Sequence, residues 1–252
     1  MSEERKYWVP ALDKADRVLS MIAQEPGENK LIDLSNRLEI NKSSMFSLLQ
    51  TMEALQWVKK SSKDTYALGT AIATLGSSII QKFDLHDAFQ SEAIAARDRL
   101  QETIQLAKRM DDYILYMGKV EALTPVRLLS EPGMRLPVHA TALGKVMLAQ
   151  LPESEWLRLY PQTELLPMTA FTIKDREALF IQLKQIKEQG YALDDQEAVV
   201  GFRCVASPVF NQAQEVIAAV SCSMPLHQWE TKAAETQQEI SRLALRLSEQ
   251  SQ

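Results

Sequence analysis

The sequence contains few of the residues that build disulfide scaffolds or metal sites. Its 252 residues include only two cysteines and three histidines. Cys204 and Cys222 lie in apolar surroundings and form no C-x-x-C pattern, which argues against a disulfide framework and suits a reducing compartment. The histidines, His86, His139 and His227, show no metal-ligand spacing. We therefore expect neither a metal ion nor another cofactor.

Long apolar segments and a global excess of positive charge are also missing. No apolar run approaches the roughly 18 residues that a transmembrane helix needs. The polar residues 1–6 are not followed by the apolar segment of a signal peptide. We therefore expect a cytoplasmic protein without a membrane partner. The formal net charge is −5, so any nucleic-acid partner would have to be held by a local basic patch.

What the chain does have is an ordinary globular composition. Hydrophobic residues make up 46% of the sequence and charged residues 24%, values typical of globular proteins. A length of 252 residues accommodates two domains. Residues 1–80 hold ten basic and ten acidic side chains, so the whole negative balance comes from residues 81–252.

The segment 31–68 carries the clearest structural pattern. It predicts a short helix, a tight turn at Asn41, a second helix and a two-stranded wing, because Asn is a favoured helix N-cap and apolar residues recur at helical spacing. The stripe predicted to be buried consists of Met45, Leu48, Leu49, Met52 and Leu55. The pattern favours a winged helix-turn-helix over the alternative, a small helical subdomain with a solvated polar face.

The polar face of the second helix supplies candidate DNA contacts. Short donors and an amide near the start of a helix suit contacts with base edges and phosphates. On this face lie Lys42, Ser43, Ser44, Ser47 and Gln50. The turn of the wing adds Lys59, Lys60 and Lys63, which would either contact phosphates or simply occupy a solvated turn.

Helical periodicity also appears on both sides of this segment. Residues 9–23 predict a first helix whose inward stripe is Leu12, Ala15, Val18, Leu19 and Ile22. Residues 70–83 predict an apolar linker helix that packs against a partner chain. Asp84 is placed to cap a further helix that would continue to about Ala107.

The second half of the chain changes to patterns typical of strands. We predict an antiparallel sheet with helices on one side, which is an α+β domain. The predicted strands are residues 113–120, 126–130, 190–194, 204–210 and 216–224, with a turn-rich loop at 131–137. The predicted helices are residues 141–151, 152–160, 174–189 and 227–249.

A pocket is suggested by polar residues in this second half. Ser221 and Ser223 share one face of the last strand, and buried hydroxyls need hydrogen-bond partners. Asp194 and Asp195 are predicted in a tight turn, and the helix that starts at Thr141 offers backbone amides to an anion. Together they suggest a cleft for a small polar molecule. The alternatives are serines that satisfy one another in the core and carboxylates in a solvated turn.

Four blocks of this half resemble the IclR family of bacterial transcription regulators. They are residues 136–149 (LPVHATALGKVMLA), 190–197 (GYALDDQE), 201–209 (GFRCVASPV) and 220–225 (VSCSMP). The resemblance extends from about Ala11 to about Ala244. Four blocks in the family's order are far more specific than the helix-turn-helix pattern alone.

The resemblance implies a two-domain α+β protein. It has an N-terminal winged helix-turn-helix (residues 1–69), a linker helix (70–83) and a C-terminal GAF-like antiparallel sheet with flanking helices (84–252). It further implies a homodimer or dimer of dimers on a pseudo-palindromic operator in double-stranded DNA, controlled by a small metabolite, for which we expect an organic acid. The effector contacts correspond to Ala142, Leu143, Asp194, Cys204, Ser221 and Ser223.

The recognition helix departs from the family pattern at Ser47, where an arginine is usual. An arginine that binds guanine through two hydrogen bonds contributes about 1–3 kcal/mol of discrimination. Without it, base contacts fall to the polar residues named above, and we expect a less sharply discriminated operator.

Two other functions are compatible with parts of the sequence. A thiol-dependent enzyme would use Cys204 with Asp194 nearby, but a nucleophilic thiol needs an adjacent base or cation. Arg203 is next in sequence, yet on a strand it points to the opposite face. The second alternative is a metal sensor, since some members of the family hold zinc in this domain. The ligands available here lack metal-site spacing. The preferred function is therefore a regulator and not an enzyme.

Overall fold

The structure is a computed structural model that describes residues 8–81, 85–123, 128 and 130–251, except for the side chains of residues 77–81. The chain divides into two compact units, Met1–Lys82 and Phe83–Gln252. Within the described residues, no helix is long and apolar enough to cross a bilayer.

The first unit is a winged helix-turn-helix, as the sequence predicts. Its elements are α1 (Pro10–Gln24), α2 (Leu31–Arg37), α3 (Lys42–Ala54), β1 (Val58–Lys60), β2 (Tyr66–Leu68) and α4 (Thr70–Gln81). The wing strands β1 and β2 pair antiparallel, with Val58 opposite Leu68. The three first helices and the wing close over one apolar core that includes Val18, Ile22, Leu34, Met45, Leu49 and Met52.

Two residues of the predicted apolar stripes lie outside this core. Leu55 is 50% exposed because α3 ends at Ala54, which places Leu55 beyond the buried face of the helix. Leu12 is 60% exposed in the first turn of α1, whereas the buried residues of that helix begin one turn later at Ala15. Both predictions of burial were therefore wrong.

The second unit is built on a six-stranded sheet. Its helices are α5 (Leu85–Leu100), α6 (Ala142–Leu148), α7 (Glu153–Leu159), α8 (Arg176–Gln189) and α9 (Leu226–Gln250). Its strands are β3 (Thr103–Met110), β4 (Tyr113–Val120), β5 (Arg135–Pro137), β6 (Ala192–Asp195), β7 (Phe202–Phe210) and β8 (Val216–Pro225). The spatial order is β5-β4-β3-β8-β7-β6, and neighbouring strands pair antiparallel. The predicted antiparallel α+β domain is confirmed.

The sequence suggested helices on one face of this sheet, but in the structure helices cover both faces. Helix α6 packs in one apolar cluster with Cys204 and Ala206 of β7. Ser207 lies on the other face of the same strand, and its hydroxyl is 3.1 Å from that of Ser241 in α9. Alternation along β7 therefore separates an α6 side from an α9 side.

The largest error of the sequence analysis is at strand β3. The helix predicted to reach Ala107 ends at Leu100, and Gln101 adopts a left-handed conformation with φ of 57°. Thr103–Met110 then forms a strand that pairs with both β4 and β8. A residue other than glycine supplies the left-handed turn, so the usual signal for a helix end is missing from the sequence.

Two smaller predictions also change, and two others fall wholly or largely outside the described residues. Residues 131–137 contain the edge strand β5 as well as a turn. The pair Asp194 and Asp195 lies in strand β6, not in a tight turn, so the two side chains point to opposite faces. The predicted strand at 126–130 falls largely outside the described residues, and Leu128 and Ser130 are not in a strand. The predicted cap Asp84 also lies outside them.

Candidate functional site

The start of α3 is fixed by its N-cap, as predicted. The Asn41 Oδ1 atom accepts hydrogen bonds from the Ser44 backbone N–H at 2.8 Å and from the Ser43 hydroxyl at 2.9 Å. Such a cap stabilises a helix by about 1 kcal/mol. It also holds Ser43 in a defined orientation at the exposed end of the helix.

The outward face of α3 is polar with one exception. Lys42, Ser43, Ser47 and Gln50 are exposed, and Ser44 is half-buried. The exception is Phe46, which is not among the predicted contacts and is 55% exposed. Because residues three and four apart lie on one face of a helix, Phe46 belongs to the same face as Ser43 and Gln50.

Basic side chains lie on both sides of α3. The wing lysines Lys59, Lys60 and Lys63 are exposed. Lys60 forms an ion pair with Asp64 at 2.7 Å, and this partner raises the Lys60 pKa. Lys14 of α1, which the sequence analysis missed, lines a groove together with Ser43, Ser44 and Ser47.

The second unit encloses a cavity between α6 and the sheet. All six predicted effector residues line it, namely Ala142, Leu143, Asp194, Cys204, Ser221 and Ser223. Further lining residues are Tyr116, Leu128, Leu136, Thr141, Ala198, Val199 and Phe202. The cavity has a volume of about 20 Å³, which is room for about one water molecule.

Strand register explains why residues distant in sequence meet in this cavity. Asp194 of β6 pairs with Cys204 of β7, and Cys204 pairs with Ser223 of β8. Cross-strand partners project from the same face, so the three side chains form one row. The Cys204 sulfur is 3.0 Å from the Ser223 hydroxyl oxygen.

A glutamine on the mispredicted strand β3 completes the polar floor. The Gln105 Oε1 atom accepts hydrogen bonds from Ser221 at 3.0 Å and from Ser223 at 3.4 Å. Gln105 is fully buried. In the sequence, Gln105 is visible as a polar residue between the apolar Ile104 and Leu106. Because this segment is predicted as a helix, the pattern does not place Gln105 on the sheet.

The electrostatic environment of Asp194 is unusual for a carboxyl group. The side chain is 3% exposed, and burial raises its pKa to about 7. Its Oδ1 atom accepts backbone hydrogen bonds from Glu197 at 2.6 Å and Ala198 at 3.3 Å, and these oppose the shift. The charge of Lys145 also opposes the shift, but Lys145 is itself bound to Glu197. Asp194 therefore changes charge near neutral pH.

The buried pair Lys145–Glu197 joins α6 to the segment that forms one wall of the cavity. Lys145 is fully buried, and Glu197 is 5% exposed. The Thr172 hydroxyl donates to the Glu197 carbonyl at 2.6 Å, which fastens the same segment from another side. At the start of α6, the Thr141 hydroxyl accepts from the Gly144 backbone N–H at 3.0 Å. Gly144 itself has no room for a side chain, because a Cβ atom would lie 2.2 Å from the Val138 carbonyl oxygen.

The thiol of Cys204 is poorly placed for nucleophilic catalysis. Burial and the nearby Asp194 carboxyl group raise its pKa, which favours the unreactive thiol form. Its hydrogen-bond partners are the Ser223 hydroxyl and the Asp194 carboxyl group, and neither is a cation that would stabilise a thiolate. Arg203 lies on the opposite face, as expected, where it binds Asp195 through two hydrogen bonds of 2.7 Å. Among the described residues, no three His, Cys, Asp or Glu side chains form a group that could hold a metal ion.

The fold and the two sites define a helix-turn-helix protein with a second, cavity-bearing domain. Residues 11–62 match the IclR helix-turn-helix domain, and residues 77–249 match the C-terminal domain of bacterial IclR transcriptional regulators. The chain therefore belongs to the IclR family, as its sequence blocks suggested.

Relatives and solved structures agree with this assignment. The chain is 35% identical over 221 residues to the HTH-type transcriptional regulator KdgR of Dickeya chrysanthemi, covering 84% of this chain and 72% of that protein. It is 33% identical to the regulator XynR of Escherichia coli K12, covering 85% and 86%. Its fold is similar to that of the IclR protein of Thermotoga maritima, with a TM-score of 0.79, 26% identity, and 95% and 98% coverage. These relatives are DNA-binding transcription regulators.

Proposed function

We propose that this protein is a transcription regulator whose affinity for its operator is set by a small metabolite bound in the second unit. The observation that carries the proposal is the cavity lined by Asp194, Cys204, Ser221 and Ser223, which belongs to a different unit from the exposed face of α3. A binding site separate from the DNA contacts is what control by a ligand requires.

The DNA-binding half of the proposal rests on α3 and the wing. Two α3 helices of a homodimer enter successive major grooves of a pseudo-palindromic operator, about 34–36 Å apart or a multiple of that distance. A dimer of dimers would repeat this contact. The proposed base contacts are Lys42, Ser43, Ser44, Ser47 and Gln50. Lys59, Lys60 and Lys63 bind the phosphate backbone.

The effector half rests on the chemistry of the cavity. The backbone at Ala142 and Leu143, at the start of α6, and the hydroxyls of Ser221 and Ser223 would bind the oxygens of an organic acid. The Asp194 carboxylate accepts a hydrogen bond from a hydroxyl of the ligand or, when protonated, donates a hydrogen bond to the ligand's carboxylate. The thiol of Cys204 fills the floor between them.

An organic acid is larger than the cavity, so its entry has to move one wall. The wall formed by Ala198, Val199 and Phe202 follows Glu197 of the buried pair in sequence, and it reaches the surface at Val199, which is 37% exposed. A ligand that binds more tightly when the wall is displaced shifts the equilibrium between the two positions of the wall. The size of this shift is set only by the difference in the ligand's affinity for the two positions. This differential binding energy is the source of control over the operator.

A paired titration tests the proposal. Mass spectrometry of the purified protein would identify a co-purifying small acid, and calorimetry would measure its binding. Gel shifts with the selected operator would then show an operator affinity that changes with effector concentration. Ser221→Ala should weaken effector binding, whereas Ser207→Ala, on the other face of the sheet, should not. A ligand that saturates the second unit and leaves operator affinity unchanged at every concentration would refute control by the effector.

A further inference from the structure

Phe46 has an unusual position on the helix proposed to enter the major groove. The buried face of α3 carries Met45, Leu49 and Met52. Phe46 lies on the flank of this face, about a quarter turn around the helix from its centre, and is 55% exposed. A single exposed apolar residue is common on protein surfaces, so exposure alone carries no conclusion. Its location between Ser43 and Gln50, in the second turn of α3, is what calls for a functional explanation.

The major groove offers one apolar group to such a side chain. Thymine projects its C5-methyl group into the groove, and phenylalanine is among the residues that contact it. Lys42 lies one helical turn before Phe46, so the base edge proposed for Lys42 would neighbour the one next to Phe46. Ser47 leaves the centre of the helix without the guanidinium that would select guanine. At the position of Phe46 the face therefore offers an apolar contact to a base.

We propose that Phe46 packs against a thymine methyl group in each half-site and thereby makes thymine a preferred base of the operator. This inference rests on the proposed DNA binding by α3 and assigns one base preference to one side chain. Gln50, one turn further along the same face, contacts a different base edge through its amide. The two side chains then make separable contributions to specificity.

Removal of single methyl groups from DNA tests the contact directly. The full-length protein would first select its operator from a random duplex library. Each thymine would then be replaced by deoxyuridine, one at a time, which deletes only the 5-methyl group and keeps the base pair. We expect one thymine per half-site whose replacement weakens wild-type binding about threefold to fivefold, the effect of exposing one methyl-sized group.

Variants of the helix assign this effect to Phe46. Phe46→Ala should bind the thymine and deoxyuridine operators equally, and Phe46→Leu should retain part of the preference. Gln50→Ala is the matched control, because it should weaken binding overall but keep the full methyl effect. The slope of affinity against salt should stay unchanged in Phe46→Ala, since no phosphate contact is lost. Circular dichroism and light scattering would show that its fold and oligomeric state are those of the wild type.

Several outcomes would overturn the contact. Wild-type binding that is insensitive to every deoxyuridine replacement excludes it, as does an equal methyl effect in Phe46→Ala. A Phe46→Ala protein that loses its oligomeric state and keeps the methyl effect would assign Phe46 to a contact between copies of the chain. If the wild-type protein enriches no duplex at all, the proposal of DNA binding fails, and this inference fails with it.

Discussion

The carboxyl group of Asp194 is buried in the folded protein, whereas water surrounds it in the unfolded chain. Because burial raises its folded-state pKa to about 7 from the ordinary value of 3.8, the folded protein keeps a proton that the unfolded chain loses at lower pH. Folding stability therefore falls as pH rises from about 4 to about 7, and the loss is complete above pH 7. A carboxylate held in an ion pair has the opposite effect, because its lowered pKa makes folding stability rise with pH.

Replacement of Asp194 with Asn should remove this pH dependence. Between pH 5 and pH 8, the wild type should lose on the order of 2–3 kcal/mol of stability through this group alone. Asp194→Asn keeps an oxygen that accepts from the Glu197 and Ala198 amides, so it should be the more stable protein at pH 8. Urea unfolding at pH 5 and pH 8 measures both slopes. His139, whose pKa burial lowers, contributes with the opposite sign in both proteins, so only the difference between them is informative.

The reactivity of Cys204 gives a second residue-scale prediction. Burial raises its pKa, so the native protein in a Cys222→Ser background should react with Ellman's reagent about 100-fold more slowly at pH 8 than the same protein in denaturant. Cys222 is replaced because it is a second buried free cysteine, and its labelling would add to that of Cys204. Rapid stoichiometric labelling of the native protein would instead favour the thiol-enzyme alternative.

Alternation along a single strand was enough to predict part of the cavity. Ser221 and Ser223 were placed on one face from the strand period, and both line the cavity. Gln105 was missed because it depends on the strand assignment of β3 and on a contact with β8, 116 residues away in sequence. A hydrogen bond over such a separation leaves no local pattern in the sequence.

At the scale of elements, the buried pair Lys145–Glu197 links α6 to the cavity wall. Loss of one partner would leave a charge buried without compensation, which destabilises proteins by about 3–5 kcal/mol. Lys145→Met should therefore lower the free energy of unfolding by that order. The surface pair Lys184–Glu153, with side chains 57% and 63% exposed, provides the control.

Lys184→Met should change the free energy of unfolding by less than about 1 kcal/mol, because exposed ion pairs contribute little. Urea titration of the two variants at pH 7.5 makes the comparison. An equal effect of both substitutions would show that Lys145 is not held in a buried pair. Loss of effector binding in Lys145→Met at a temperature where it remains folded would show that the pair also positions the wall.

Element boundaries were predicted well where side chains cap or punctuate the chain. Asn41 marks the start of α3, and Gly190, with φ of 78°, marks the end of α8. The boundary after α5 was missed because Gln101 adopts a left-handed conformation that most residues avoid. The pairing of Thr103–Met110 with strands on both sides outweighs the helical periodicity that extends into it.

At the scale of the whole molecule, charge sets how DNA would be held. Residues 1–80 are neutral overall and residues 81–252 carry the −5 balance, so the protein provides no long-range attraction to DNA. Binding then depends on a few local lysines and on the symmetry of a dimer. Each phosphate contact should contribute about −0.9 to the slope of log affinity against log salt.

The ion pair between Lys60 and Asp64 makes this testable. Asp64 competes with phosphate for Lys60, since the two side chains are 2.7 Å apart. Asp64→Asn should release Lys60, raise operator affinity at low salt and steepen the salt slope by up to about 0.9 per protomer. Gel shifts between 50 and 200 mM salt measure the slope. Asp98→Asn, which removes the ion pair of Arg97 in the second unit, should leave the slope unchanged. If Asp64→Asn also leaves it unchanged, Lys60 does not contact the backbone, and the wing has to be removed from the proposed DNA-binding surface.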